Sequence, residues 1–224
     1  GTGFGQTITS GVVDWGYPDG RAWVDVNGDG KADYCRLVGS VNGQSSYIAC
    51  TLSTGTGFGQ TITSGVVDWG YPDGRAWVDV NGGGKADYCR LVGNVNNQSS
   101  NVSCTSSTGT GFGQTITSGV VDWGYPDGRG WADFSGSGRP AYCRLVGAAG
   151  NRQFLQITPS SAVASDALKS IANGLGALTT SNYAPATSFS NTQLPFAIQT
   201  VSSVLINDGL GHLTTPSYQY ACGF

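Results

Sequence analysis

The chain has 224 residues, 36 of them glycine, no methionine, 11% charged residues and a formal net charge of −3. A weakly acidic chain with no Lys/Arg cluster excludes a nucleic-acid groove and a basic membrane-facing patch, and no apolar run approaches the roughly 20 residues of a membrane-spanning helix. The Gly, Thr, Ser and Val-rich mixture suits short strands and tight turns rather than amphipathic helices.

Internal repetition organises the chain. The string GTGFGQTITSGVVDWGYPDGR starts at Gly1, Gly55 and Gly109, a period of 54 residues. Residues 1–39 and 55–93 differ only at Asp29 versus Gly83, and copy 109–147 differs from the first at eight positions, all between Gly130 and Ala141. In the first copy, four strands are expected near Thr7–Val13, Arg21–Val26, Ala32–Val38 and Ser45–Leu52. Turn signals separate them: Gly16-Tyr17-Pro18-Asp19-Gly20, Asn27-Gly28-Asp29-Gly30 and Asn42-Gly43. Four strands per repeat of this length predict an all-β chain with three propeller-type blades, at 1–54, 55–108 and 109–158. A propeller closes with about four to eight blades, so further blades are expected on the N-terminal side. The Gly1 start and absent methionine read as an internal segment of a longer protein.

A two-residue turn at Asn42-Gly43 sets Cys35 opposite Cys50, and one at Asn96-Asn97 sets Cys89 opposite Cys104. Counting outward puts each pair at hydrogen-bonded positions, with Cα atoms about 5.5 Å apart. Two disulfides within blades are the preferred reading, with buried free thiols as the alternative. Cys143 has no mirror partner, and Cys222 lies far along the chain. Disulfides imply an oxidising compartment, hence a secreted or cell-surface protein.

The segment Asp25–Asp33 places oxygen side chains at its positions 1, 3, 5 and 9: Asp25, Asn27, Asp29 and Asp33. Gly30 permits a sharp reversal, and the Lys31 carbonyl can add a neutral oxygen. Calcium takes about six to eight oxygens, and three carboxylates so close repel one another without a cation. The alternative is an ion-free acidic turn. Position 12 is Arg36 and the flanks are strand-like, so this is no EF-hand. The second loop keeps Asp79, Asn81, Lys85 and Asp87 but has Gly83 for Asp29; the third has Asp133, Ser135 and Ser137, and ends in Pro140-Ala141. A graded calcium series is expected, first over second over third, organising the loops without doing chemistry.

The Gly3-Phe4-Gly5 string together with the Asp25–Asp33 loop resembles FG-GAP and VCBS repeats, which build the propeller of integrin α-subunits and of many bacterial surface proteins. The resemblance covers residues 1–158 and implies a calcium loop in each intact blade. Further on, Asn173-Gly174-Leu175-Gly176 with Thr179, Thr180 and Tyr183 is echoed 35 residues later by Asp208-Gly209-Leu210-Gly211 with Thr214, Thr215 and Tyr218. Each reads as a hairpin. This pattern in 159–224 resembles the region after the propeller in B components of insecticidal toxin complexes, plasmid-virulence B proteins and Rhs/YD-repeat proteins. There the propeller leads into a β-rich shell around a toxic segment, which implies a scaffold that contacts another subunit or domain of a larger toxin or surface assembly.

Other chemistry is weaker. The segment Asp14–Arg21 recurs unchanged at 68–75 and 122–129. Its aromatics, Trp15, Tyr17, Trp69, Tyr71, Trp123 and Tyr125, could stack on a sugar, as in a lectin. The structural alternative is Trp filling the space between blades, with the Arg paired to an acid. The glycine strings lack the Lys-Ser/Thr of a phosphate loop. The lone His212 sits beside a glycine turn, where a catalytic triad is not expected, and no nucleophile, acid/base pair or open metal site emerges. The sequence therefore predicts a non-enzymatic, calcium-stabilised structural and interaction module, with a carbohydrate-binding propeller as the alternative.

Overall fold

The computed structural model describes residues 3–40, 46–93, 100–147, 153–160, 168–185 and 199–220. The turns at Asn42-Gly43 and Asn96-Asn97, and Cys222, lie outside the described residues. Apart from three short 3₁₀ turns at the Pro-Asp-Gly triplets, all described regular structure is β. It forms four antiparallel sheets, and the chain divides into two compact units. The first comprises 1–80, 84–131 and 142–158, the second 81–83, 132–141 and 159–224.

The first sheet runs β1 (Ala22–Val24), β2 (Asp33–Val38), β3 (Tyr47–Ser53) and β4 (Phe58–Thr63), neighbours in that order. The second repeats it with β5 (Ala76–Val78), β6 (Asp87–Val92), β7 (Asn101–Ser107) and β8 (Phe112–Thr117). The third has three strands, β9 (Arg129–Ala132), β10 (Ala141–Gly147) and β11 (Gln153–Thr158), with β11 at one edge.

The strands group differently from expectation. The fourth strand of each complete sheet comes from the start of the following copy: β4 pairs with β3, and β8 with β7. In the first copy the same string carries no strand at residues 7–13. A strand is held by its ladder, and no described strand pairs with residues 7–13.

The register Cys35↔Cys50 and Cys89↔Cys104 agrees with the hairpin reading, and both pairs are disulfides. Their Cα atoms are 4.0 Å apart in each case. That is the close spacing of non-hydrogen-bonded positions, not the wider one a two-residue turn predicts. In the third sheet Ile157 stands opposite Cys143.

β2 and β6 are buried almost along their whole length, because each sheet packs on its neighbour. One core joins Val26, Leu37, Ile48 and Ile62 of the first sheet to Trp69 and Tyr88 of the second copy. The next joins Val80, Leu91 and Val102 to Trp123 and Tyr142 of the third. Burying each such side chain contributes about 1.5–3 kcal/mol.

In the second unit, β12 (Ser170–Ala172), β13 (Leu178–Pro185), β14 (Gln199–Asn207) and β15 (Leu213–Thr214) form a meander. Its two glycine turns are built alike. Asn173 Oδ1 accepts from the Leu175 and Ala177 amides at 2.8 and 3.0 Å; Asp208 Oδ1 accepts from Leu210 and His212 at 2.7 and 3.1 Å. The turns touch: a methyl group on Gly209, whose φ is +81°, would lie 2.7 Å from the Gly176 carbonyl carbon.

Each disulfide spans 15 residues, a closure that stabilises a domain by about 3 kcal/mol. A C35A/C50A double variant should therefore lose about 2–3 kcal/mol in urea unfolding, and dithiothreitol should lower the wild-type midpoint without affecting a variant that lacks both bridges.

Candidate functional site

The first acidic loop is tied internally. One Asp25 oxygen accepts from the Gly28 and Asp29 amides at 2.7 and 3.2 Å, and the other from Gly30 at 2.7 Å. Asn27 Oδ1 accepts from the Asp29 amide at 3.0 Å. Asp29 accepts from the Lys31 amide at 2.9 Å and its ammonium at 3.1 Å. The Lys31 hydrogen bond holds the Asp29 carboxyl below its ordinary value. Asp33 is fully buried and accepts from Val26 N at 3.1 Å and Ser53 N at 2.7 Å.

The second loop follows the plan. Asp79 accepts from Gly84 N at 2.8 Å, and Asn81 from Gly83 N at 2.8 Å. Asp87, fully buried, takes Val80 N at 3.1 Å and Ser107 N at 2.7 Å. In the third, Asp133 accepts from Ser137 N and Gly138 N at 3.0 and 2.7 Å, and Ser135 bonds the Ser137 hydroxyl at 2.8 Å.

Sequence reasoning missed that the first two loops touch. Ala86 N donates to Asp25 O at 2.9 Å, the Ser107 hydroxyl donates to Val26 O, and the Lys85 stem runs past Gly28 and Gly109. The 54-residue period was the signal, since it stacks equivalent loops on one edge.

The loop carboxylates are served by the protein's own donors. Each carboxylate oxygen of Asp25, Asp29 and Asp33 accepts an N–H, and the Lys31 ammonium stands beside Asp29. Among the described residues no group of three or more Asp, Glu, His or Cys gathers to hold a metal. Asp25, Asn27, Asp29, the Lys31 carbonyl and Asp33 are the groups that would hold a cation, and the Lys31 ammonium at 3.1 Å from Asp29 would have to move aside for it.

The aromatic segment builds the joints between copies. Tyr17 and Trp69 rings lie 4.7 Å apart, and Tyr71 and Trp123 4.9 Å. Arg75 grips the carbonyls of Trp69 and Gly70 at 2.9 Å each and reaches Asp19 of the preceding copy at 2.8 Å; Arg129 reaches Asp73 in the same way. Trp69 and Trp123 are only 5% and 6% exposed. Both rings are covered at the joints, where the structural reading puts them. Trp15, by contrast, is 74% exposed.

Behind each joint lies an arginine the sequence did not single out. Arg36, Arg90 and Arg144 are buried, and each extends over the ring of the tyrosine two residues before it. Their guanidinium groups donate to Thr51, Thr105 and Thr158 at 2.9, 2.8 and 2.8 Å. Burial lowers the pKa of Arg90 and raises that of Tyr88. His212 is exposed and pairs with Asp208 at 2.6 Å; the Leu210 amide and then His212 hold that carboxyl low.

A family model described as the insecticide toxin TcdB middle/N-terminal region matches residues 105–224. A Vibrio cholerae protein named NAD(+)–arginine ADP-ribosyltransferase Chelt is 36% identical over 127 residues, which is 56% of this chain and 20% of that protein. A structure of the Photorhabdus luminescens Tc holotoxin pore aligns over 85% of this chain and 9% of its own, with a TM-score of 0.53 and 19% identity, a likeness of fold alone. The chain therefore spans only a small part of each of these proteins.

Removing one acceptor from a buried carboxylate separates structural from exposed loop acids. D33N and D87N should each cost about 2–4 kcal/mol. D29N, at a largely exposed ion pair, should stay within about 0.5 kcal/mol. Urea unfolding monitored by tryptophan fluorescence makes the comparison, and equal losses at all three positions would contradict it.

Proposed function

Because the chain belongs to the insecticide toxin TcdB middle/N-terminal family, we propose that it is a non-catalytic scaffold segment of a secreted bacterial toxin assembly. On this reading residues 1–158 are blades of a propeller of the FG-GAP/VCBS type, residues 159–224 begin a β-shell, and the partner is another subunit or domain of the assembly. The observation that carries it is the repeated joint: one Trp–Tyr contact and one Asp–Arg pair recur between successive copies. The polar groups there bind one another and the backbone, as structural groups do. The two disulfides support an extracellular setting.

The ADP-ribosyltransferase name describes the Vibrio protein, of which this chain matches one fifth. The purified chain should transfer no ADP-ribose from NAD⁺ to arginine acceptors, and measurable transfer would defeat the scaffold reading.

The scaffold needs no resident ion, since amides already serve the loop carboxylates. Calorimetric titration with calcium should give no heat above dilution, and chelator should leave the thermal midpoint unchanged. A binding heat that disappears in D29N would restore the cation site of the first loop.

A further inference from the structure

Each of the two joints between copies leaves a cavity. The first, of about 350 Å³, is lined by Tyr17 and Asp19 of one copy and by Asp68, Trp69, Tyr71 and Arg75 of the next. The second, of about 360 Å³, is lined by Tyr71 and Asp73 and then by Asp122, Trp123 and Arg129. The same parts recur because residues 14–21, 68–75 and 122–129 are identical. Both volumes lie at the small end of ligand pockets.

The lining of each cavity has one negative charge left over. It holds two carboxylates and one guanidinium, and the guanidinium is already committed. Arg75 gives Nε and Nη2 to the Trp69 and Gly70 carbonyls and Nη1 to Asp19 at 2.8 Å, and Arg129 pairs with Asp73 at 2.5 Å. Asp68 and Asp122 remain. Each spends one oxygen on an amide two residues ahead, Gly70 at 2.7 Å and Gly124 at 2.8 Å. Both residues are exposed, and among the described residues no donor meets the second oxygen of either. The buried Arg90 feels the charge of Asp68, but its guanidinium donates to Thr105.

Aromatic rings stand beside these oxygens. Tyr17 and Tyr71, 37% and 38% exposed, lie against Trp69 and Trp123. A ring face attracts a cation, and a carboxylate binds a charged N–H donor strongly. An ammonium or guanidinium group offers donors and no acceptor. That complements a cavity whose own guanidinium is engaged and whose spare carboxylate oxygen is an acceptor. An anionic ligand would meet like charge.

We propose that the two joint cavities bind an organic cation, an ammonium or guanidinium head on a short apolar stem, one at each joint. Asp68 and Asp122 take the head, and the Tyr–Trp pair packs beside the stem. The proposal needs only the joint geometry, not the toxin family, so its failure would leave the scaffold reading standing.

Amide NMR titration of the full chain with arginine amide tests it, because the Gly70 and Gly124 amides report on the two carboxylates directly. Both signals should shift as the cation saturates, and the affinity should fall as salt is added. D68N keeps the acceptor for Gly70 but removes the charge. It should weaken binding at the first cavity by about tenfold or more and spare the second, and D122N should do the reverse, each with unchanged circular dichroism. D29N, which removes an acid that lines neither cavity, should leave both sites intact. A Gly-Ser peptide carrying two arginines separates the sources of the cation. Tighter binding than arginine amide at equal arginine concentration assigns the cavities to a basic segment of a partner chain, and equal binding assigns them to a free small cation. Silent Gly70 and Gly124 amides, shifts that survive both D68N and D122N, or a salt-independent response to a neutral methyl glycoside in place of arginine amide would each overturn the proposal.

Discussion

A four-stranded sheet with apolar side chains on both faces cannot stand alone in water, and the repeat array is organised around that constraint. Each copy is completed by the next in two ways, by a strand that closes its edge and by a tryptophan that covers its face. The Asp19–Arg75 and Asp73–Arg129 pairs then fix the register of one copy on another. Copies joined in this way are nearest-neighbour units, so their stability is shared across joints and not held within a copy. The buried Arg36 and Arg90 fit the same logic. Among the described residues they bond no carboxylate and rest on a tyrosine ring and a threonine hydroxyl, and burial depresses the charged form of Arg90.

What could be read in the sequence was local. The Cys35–Cys50 and Cys89–Cys104 pairs followed from turn position, because an antiparallel hairpin fixes its register within a few residues. The all-β class and the hairpins around Gly174 and Gly209 followed from glycine placement and alternation. The grouping of strands did not. Phe58–Thr63 belongs by sequence to the second copy and by hydrogen bonding to the first. Repeats define a period but no phase, so a copy boundary drawn at the start of the string cuts through a sheet. That the Arg pairs with an acid could be read, but which acid was hidden for a similar reason, since the partners stand 56 residues apart and inside the same string.

In the acidic loops one sequence pattern serves two chemistries. Alternating acids with a glycine reversal bring oxygens toward one small volume, which suits a cation. The same reversal turns a set of backbone amides toward that volume, and amides also neutralise carboxylates. In the first loop the amides of Gly28, Asp29 and Gly30 take Asp25, and the Lys31 ammonium takes Asp29. Asp33 was the least legible position. Its burial depends on Ser53, 20 residues away in a strand whose register only the folded hairpin sets.

The third copy separates the contacts that define the array from those that reinforce it. Its hairpin sets Ile157, not a cysteine, opposite Cys143, and that pair is separated by 14 residues where the others have 15. It has Ala141 where Asp33 and Asp87 bridge strands, and Pro140 has no N–H to make the bond that Ala86 makes to the preceding loop. Yet the Tyr142 hydroxyl still meets the Trp123 carbonyl at 2.6 Å, as Tyr34 and Tyr88 meet theirs at 2.8 Å. Arg144 still finds its threonine despite the shortened hairpin, with Gln156 added at 3.0 Å. Loops and disulfides thus vary between copies while the Trp–Tyr–Arg–Asp joint does not. A contact kept where its reinforcements have been lost is the one that sets how copies stack, and the acidic loops act as fasteners on an arrangement that the aromatic string has already determined.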